Sequence, residues 1–182
     1  MKKIFVLVAL FALTILFSAC GGGGETPAQN VAPAPLQVSA HLAPTEGNSV
    51  YGNVTFSQEG NDSVRIIAEV SGLTPGSHGF HIHENGDCSA PDASSAGGHF
   101  NPLQTQHGKA GEGDHHAGDL PSLEADGEGS ARINAVLNGI TLTGDHSIVG
   151  RSLIVHADPD DFTTQPTGNA GARVACAVIH PH

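Results

Sequence analysis

Basic residues are scarce in this chain. Seven lysines and arginines stand against eighteen acidic residues in 182 positions, a formal charge of −11, and two of the seven are Lys2 and Lys3. Nucleic acid and acidic membrane surfaces both call for basic surface, so neither fits as a partner. Methionine is almost absent, Met1 being the sole one, and there are three cysteines. A copper electron carrier built on a Cys ligand with an axial Met therefore has little to use. The longest apolar run, Ile4 to Phe17, is too short to span a bilayer comfortably. Beyond it, no ten-residue segment carries a helical apolar stripe. Large apolar residues are also sparse in two long stretches, Glu84 to Gly127 and Ala157 to Arg173, which are rich in Gly, Pro and Asp.

The N-terminal run follows Lys2-Lys3 and fits a secretory signal. It ends in Phe17-Ser18-Ala19-Cys20, similar to a bacterial lipobox in which the cysteine becomes lipid-modified after cleavage. Phe17 stands where Leu is usual, and plain secretion with cleavage nearby is the alternative. Residues 21–35 hold four consecutive glycines and three prolines, the composition of a flexible tether. The expected organisation is a signal over 1–20, a tether over 21–35 and one domain over 36–182. It would be exported to the periplasm or cell envelope of a bacterium, touching the membrane only through a lipid at Cys20.

With Cys20 lipidated, Cys88 and Cys176 remain. In an oxidising compartment a disulfide is the default, and two buried free thiols the alternative. Closing a loop of about ninety residues stabilises by roughly 4–5 kcal/mol in the chain-entropy model.

Strand signals dominate the rest. Val64, Ile66, Ala68 and Val70 alternate with Arg65, Ile67 and Glu69, and Ala131, Ile133, Ala135 and Leu137 do the same farther on. A period of two means one buried face. Further strands are expected at Leu36–Leu42, Val50–Ser57, Gly79–His83, Ser152–His156 and Val174–Ile179. Turn clusters such as Thr74-Pro75-Gly76 and Asp126-Gly127-Glu128-Gly129 separate them. Seven or eight short strands predict an all-β antiparallel sandwich or flattened barrel with two long loops. Loops of that length are functional or disordered. Metal and a disulfide would order these two.

Six of the twelve histidines, His81, His83, His99, His107, His116 and His156, with Asp119 and Asp160, fall in short runs in or beside those loops that read as one two-metal site. His81 and His83 are two apart on an expected strand and leave the same face, a rigid pair of nitrogens. Imidazole suits copper and zinc.

Taken together, the motifs resemble those of the copper/zinc superoxide dismutases. They are His78-Gly79-Phe80-His81-Ile82-His83-Glu84, Gly98-His99-Phe100-Asn101-Pro102, His107-Gly108 and His116-Ala117-Gly118-Asp119-Leu120. Ser147-Ile148-Val149-Gly150-Arg151 and Gly168-Asn169-Ala170-Gly171-Ala172-Arg173-Val174-Ala175-Cys176 follow in the family's order. The resemblance spans roughly residues 37–179 and implies a Greek-key arrangement. It implies copper on His81, His83, His99 and His156, and zinc on His99, His107, His116 and Asp119, with His99 shared. Asp160 would link His81 to His107 from behind. The implied substrate is superoxide, with His99 and Arg173 taking part in catalysis.

One departure lies in residues 161–167, which are short and have no lysine, whereas eukaryotic members carry a longer charged loop there. Ile148-Val149-Gly150 resembles the dimer-contact region of some members, so a homodimer is an open alternative to a monomer. His78, His41 and His146 read as structural or surface residues. His115 competes with His116 by position, but spacing to His107 and Asp119 favours His116. His180-Pro181-His182 reads as a frayed tail, with binding of stray metal as the alternative. The competing readings are a metal-buffering module without turnover and a zinc hydrolase, for which the zinc set leaves no open position.

Overall fold

The computed structural model describes residues 36–181; the expected signal, Cys20 and the tether lie outside them. Ten strands follow one another: β1 Gln37–Pro44, β2 Tyr51–Gln58, β3 Ser63–Ser71, β4 Gly76–His78, β5 Phe80–His83, β6 Leu123–Ala125, β7 Ser130–Asn138, β8 Ser152–His156, β9 Arg173–Val178 and β10 His180–Pro181. Among the described residues there is no α-helix, only a 3₁₀ turn at Ser94–Ala96. The main sheet is antiparallel in the order β5-β8-β9-β1-β2-β3-β7, with β10 also on β1, and β4 pairs with β6 separately. The chain is therefore all-β, a curled antiparallel sheet of the Greek-key type.

The alternation read in β3 holds: Val64, Ile66, Ala68 and Val70 are buried, while Ile67 faces out. In β7, Ala131 and Leu137 are buried, but Ile133 and Ala135 at the strand's centre are half-covered. Phe56, Phe80, Ile66 and Ile82 are fully enclosed, each contributing about 1.5–3 kcal/mol by area.

β5, β8 and the middle of β9 differ from β1, β2, β3 and β7 because both of their faces are covered. Phe80, Ile82, Leu153 and Val155 point into the main core. His81, His83 and His156 leave the opposite face, and Ile154 forms a second apolar cluster with Ala93, Ala96 and Cys176. The two long loops therefore cover the outer face of β5 and β8. Cys88 and Cys176 form a disulfide that ties the first loop to β9. Replacing both by serine is expected to cost about 2–5 kcal/mol, read as a lowered urea midpoint with a steeper slope, since the denatured chain without the cross-link exposes more surface.

Two expectations need correction. The stretch 84–127 is not wholly a loop, since Leu123–Ala125 pairs with Gly76–His78; three-residue strands are too short to show alternation. The tail is not frayed as far as Pro181, because His180 and Pro181 pair with Ser39 and Val38. In the stretch 148–150, Ile148 is buried in the core, Val149 is half-buried and Gly150 is exposed.

Candidate metal centre

The first group of ligands is held by the sheet. His81 and His83 sit opposite Ile154 and Ser152 in the β5–β8 register. His156 ends β8 opposite Arg173, just past an irregularity between Val155 and His156; a bulge of this kind re-aims a side chain. Gly79 gives room, because a Cβ there would meet the Cβ of Ala170 at 2.7 Å and the His81 ring at 3.1 Å.

The first loop delivers the second group by running beside β5. Ile82 N–H donates to the Gly118 carbonyl, Phe100 N–H to Ile82, and Gly118 N–H to Phe100, each at 2.8 Å. This three-way crossing places His99 beside His83 and Asp119 beside His81 as isolated bridges. A Cβ at Gly118 would strike the Ile82 carbonyl and press on Phe100. Gly118→Ala is therefore expected to break the crossing and weaken metal binding in both groups, measured by metal content after dialysis.

His81, His83, His99 and His156 each offer a ligand atom within 4.8 Å of the others, and so do His99, His107, His116 and Asp119. All seven residues are buried. In the first group one nitrogen of each ring is engaged from behind. His81 Nε2–H donates to Asp160 Oδ2 at 2.7 Å, His83 Nδ1–H to the Gly97 carbonyl at 2.9 Å, and His156 Nδ1–H to the Gly171 carbonyl at 3.1 Å. His99 directs Nδ1 at Asp119 Oδ1, 2.8 Å away. The remaining four nitrogens, His81 Nδ1 and the Nε2 atoms of His83, His99 and His156, are buried without a hydrogen-bond partner. Each such atom costs about 1–3 kcal/mol. Four at one point fit a cation that takes lone pairs, with the ring orientations already set by outer partners.

In the second group, Asp119 Oδ1 lies 2.8, 3.0 and 3.4 Å from Nδ1 of His99, His107 and His116. Its other oxygen accepts from the backbone N–H of Gly108 and His116. Three imidazole nitrogens and one carboxylate suit tetrahedral zinc. Asp160 spans the two groups, Oδ2 on His81 and Oδ1 2.9 Å from His107 Nε2. Asp160→Asn is expected to lower metal affinity about 10–100-fold without unfolding the chain, by competition with a chelator.

The electrostatics separate the groups. Burial pushes His83 down to about 2, with His99 adding to it. Burial and His81 take His156 to about 3. Burial takes His99 to about 4, against the pull of Asp119. These rings are neutral at pH 7, the form that binds metal. His107 is opposite: burial would lower it, but Asp119 and Asp160 outweigh that and raise it to about 9. Both carboxylates are held far below their usual range, since hydrogen bonds from His107 and its neighbours overcome desolvation.

A model of the copper/zinc superoxide dismutase family matches residues 50–179. The chain belongs to this family. A solved crystal structure, described as that of the clock protein EA4, is similar to it with 38% identity and a TM-score of 0.75, over 83% of this chain and 98% of that one.

In this member of the dismutase family, Arg173 is half-buried beside the first group. Its guanidinium donates to the carbonyls of Ala93 at 2.6 Å and Gly97 at 2.7 Å, so it shares the Gly97 oxygen with His83. His78 is a structural bond, linking Thr74 to the His156 carbonyl. His115 turns away to the Gly113 carbonyl, leaving the inner position to His116. The sequence reading missed the carbonyls of Gly97 and Gly171, and it missed Gln165. Gln165 accepts from His107 N–H at 2.8 Å and donates to its carbonyl at 3.0 Å. The short second loop thus clamps the ligand through its backbone. The glycines beside the motifs were a usable signal for the first two; nothing in the sequence marked Gln165.

Proposed function

We propose that this protein disproportionates superoxide to dioxygen and hydrogen peroxide. Copper would be held by His81, His83, His99 and His156, and zinc by His99, His107, His116 and Asp119. The observation that carries this reading is the position of His99: it belongs to both groups, with Nδ1 toward Asp119 and Nε2 among the four unpartnered nitrogens. When bound, copper supplies a one-electron couple, and zinc supplies a fixed positive charge.

The chain's own residues supply the rest. Arg173 presents a guanidinium beside His83 and His156 and draws in the anion locally, against a formal chain charge of −11. His99, with Nδ1 directed at Asp119 and Nε2 unpartnered, would be the group that holds a proton at Nε2 for transfer to the peroxide product, as a general acid does. Asp160 holds His81 and His107 so that their rings stay fixed. Two superoxide ions and two protons give one dioxygen and one hydrogen peroxide.

A second reading is a metal-holding protein without turnover. In its favour, Arg173 already spends donors on two carbonyls, and the related protein described above is called a clock protein. Export to a bacterial envelope with a lipid at Cys20 is part of the first reading and rests on the N-terminal sequence alone. The test is superoxide removal by the full chain carrying one copper and one zinc. Rapid removal that disappears in His156→Ala supports turnover; tight binding of both metals without removal supports the second reading.

A further inference from the structure

His41 and the C-terminal His180 stand outside the buried centre. β10 lies on β1 with Ser39 opposite His180, and His41 sits opposite Asn53 on β2. Residues 39 and 41 leave the same face of β1. His41 and His180 are thus diagonal neighbours on one face, a spacing of about 7–8 Å between backbones that long side chains span. Both are exposed, and both line one shallow depression beside the Cys88–Cys176 disulfide, together with Ser39 and Val178.

The chemistry of His41 is already arranged for a ligand. Its Nδ1–H donates to Asn53 Oδ1 at 2.7 Å, which orients the ring and leaves the lone pair on Nε2. Outer partners of this kind are what fix a metal-binding imidazole. The excess of acidic residues over the whole chain favours a cation at the surface.

We propose that His41 and His180 form a surface site for a divalent transition-metal ion of the zinc or copper type. The two imidazoles come from paired strands, so the site has two ligands on a rigid frame, with water completing the coordination. His182 lies outside the described residues and is not needed for the pair.

The test uses the full chain with its buried groups first loaded with copper and zinc, then titrated with Zn²⁺ by calorimetry. The unaltered chain is expected to take one further equivalent. His41→Ala and His180→Ala should each abolish it, and Asn53→Ala should weaken it about tenfold. Both histidines are exposed, and unchanged circular dichroism checks the fold of each variant. The readout is a difference between variants, so it stands apart from whether the buried centre turns over superoxide. Absence of the extra equivalent overturns the proposal. So does an equivalent that survives His41→Ala but vanishes with His180→Ala or His182→Ala, which is a chelate of the tail alone.

Discussion

Replacing His99 by alanine is expected to abolish superoxide removal and to weaken the binding of both metals. Each of the other six ligands belongs to one group, whereas His99 stands in both. Its loss takes Nε2 from the first set of four and Nδ1 from the second. Losing even an outer partner costs about 10–100-fold in metal affinity, and losing a direct ligand costs more. His99→Ala should therefore release copper and zinc together on dialysis against a mild chelator. His83→Ala should release copper while keeping zinc, because His83 touches only the first group. Independent loss of one metal in His99→Ala, with the other held as firmly as before, would show that the ring serves one group alone. The fold itself should survive, since the ring lies on the outer face of β5 and β8 and fills no part of the main core.

Removing both metals is expected to leave a protein whose stability depends steeply on acidity. In the metal-free chain His83, His99 and His156 have pKa values near 2, 4 and 3. Unfolding returns them to about 6.5. Below that pH the unfolded chain binds more protons than the folded one, so stability falls as pH falls. One such histidine contributes about 1.4 kcal/mol per pH unit, and three contribute about 4 kcal/mol per unit near pH 5. His107 acts in the other direction: raised to about 9, it stabilises below 6.5, and that contribution is lost as pH rises through 9. Bound metal excludes protons from the same nitrogens and adds its binding free energy to folding. Urea midpoints at pH 7, 6 and 5 should fall sharply for the metal-free chain; those of the loaded chain should lie higher at each pH and fall at least as steeply, because metal also keeps these nitrogens unprotonated and displaces the proton on His107. A flat metal-free profile would mean that the buried rings are already protonated in the folded state.

The fold was legible wherever one face of a strand is wet. Val64 to Val70 shows it, because alternation there directly reports the buried side. β8 was legible only as an apolar run, since loops cover its outer face and all five residues are buried. β4 and β6 carry no pattern in three residues each. At the site, His81-Ile82-His83 announced two nitrogens on one face of a strand. No period links His99, His107, His116 and Asp119, because loop residues have none; their grouping came from resemblance to a family. The atoms that finish the site were least legible. The carbonyls of Gly97 and Gly171 and the amide of Gln165 act through backbone geometry, which a residue name does not encode.

The shared ring is tested most directly by electron paramagnetic resonance on the full chain with Cu²⁺ in both groups. If His99 joins them, the two spins couple through its imidazole, and the signal of isolated Cu²⁺ is lost in the unaltered chain. Two independent Cu²⁺ signals at full intensity, with both groups filled, would contradict a centre built on one ring between two metals.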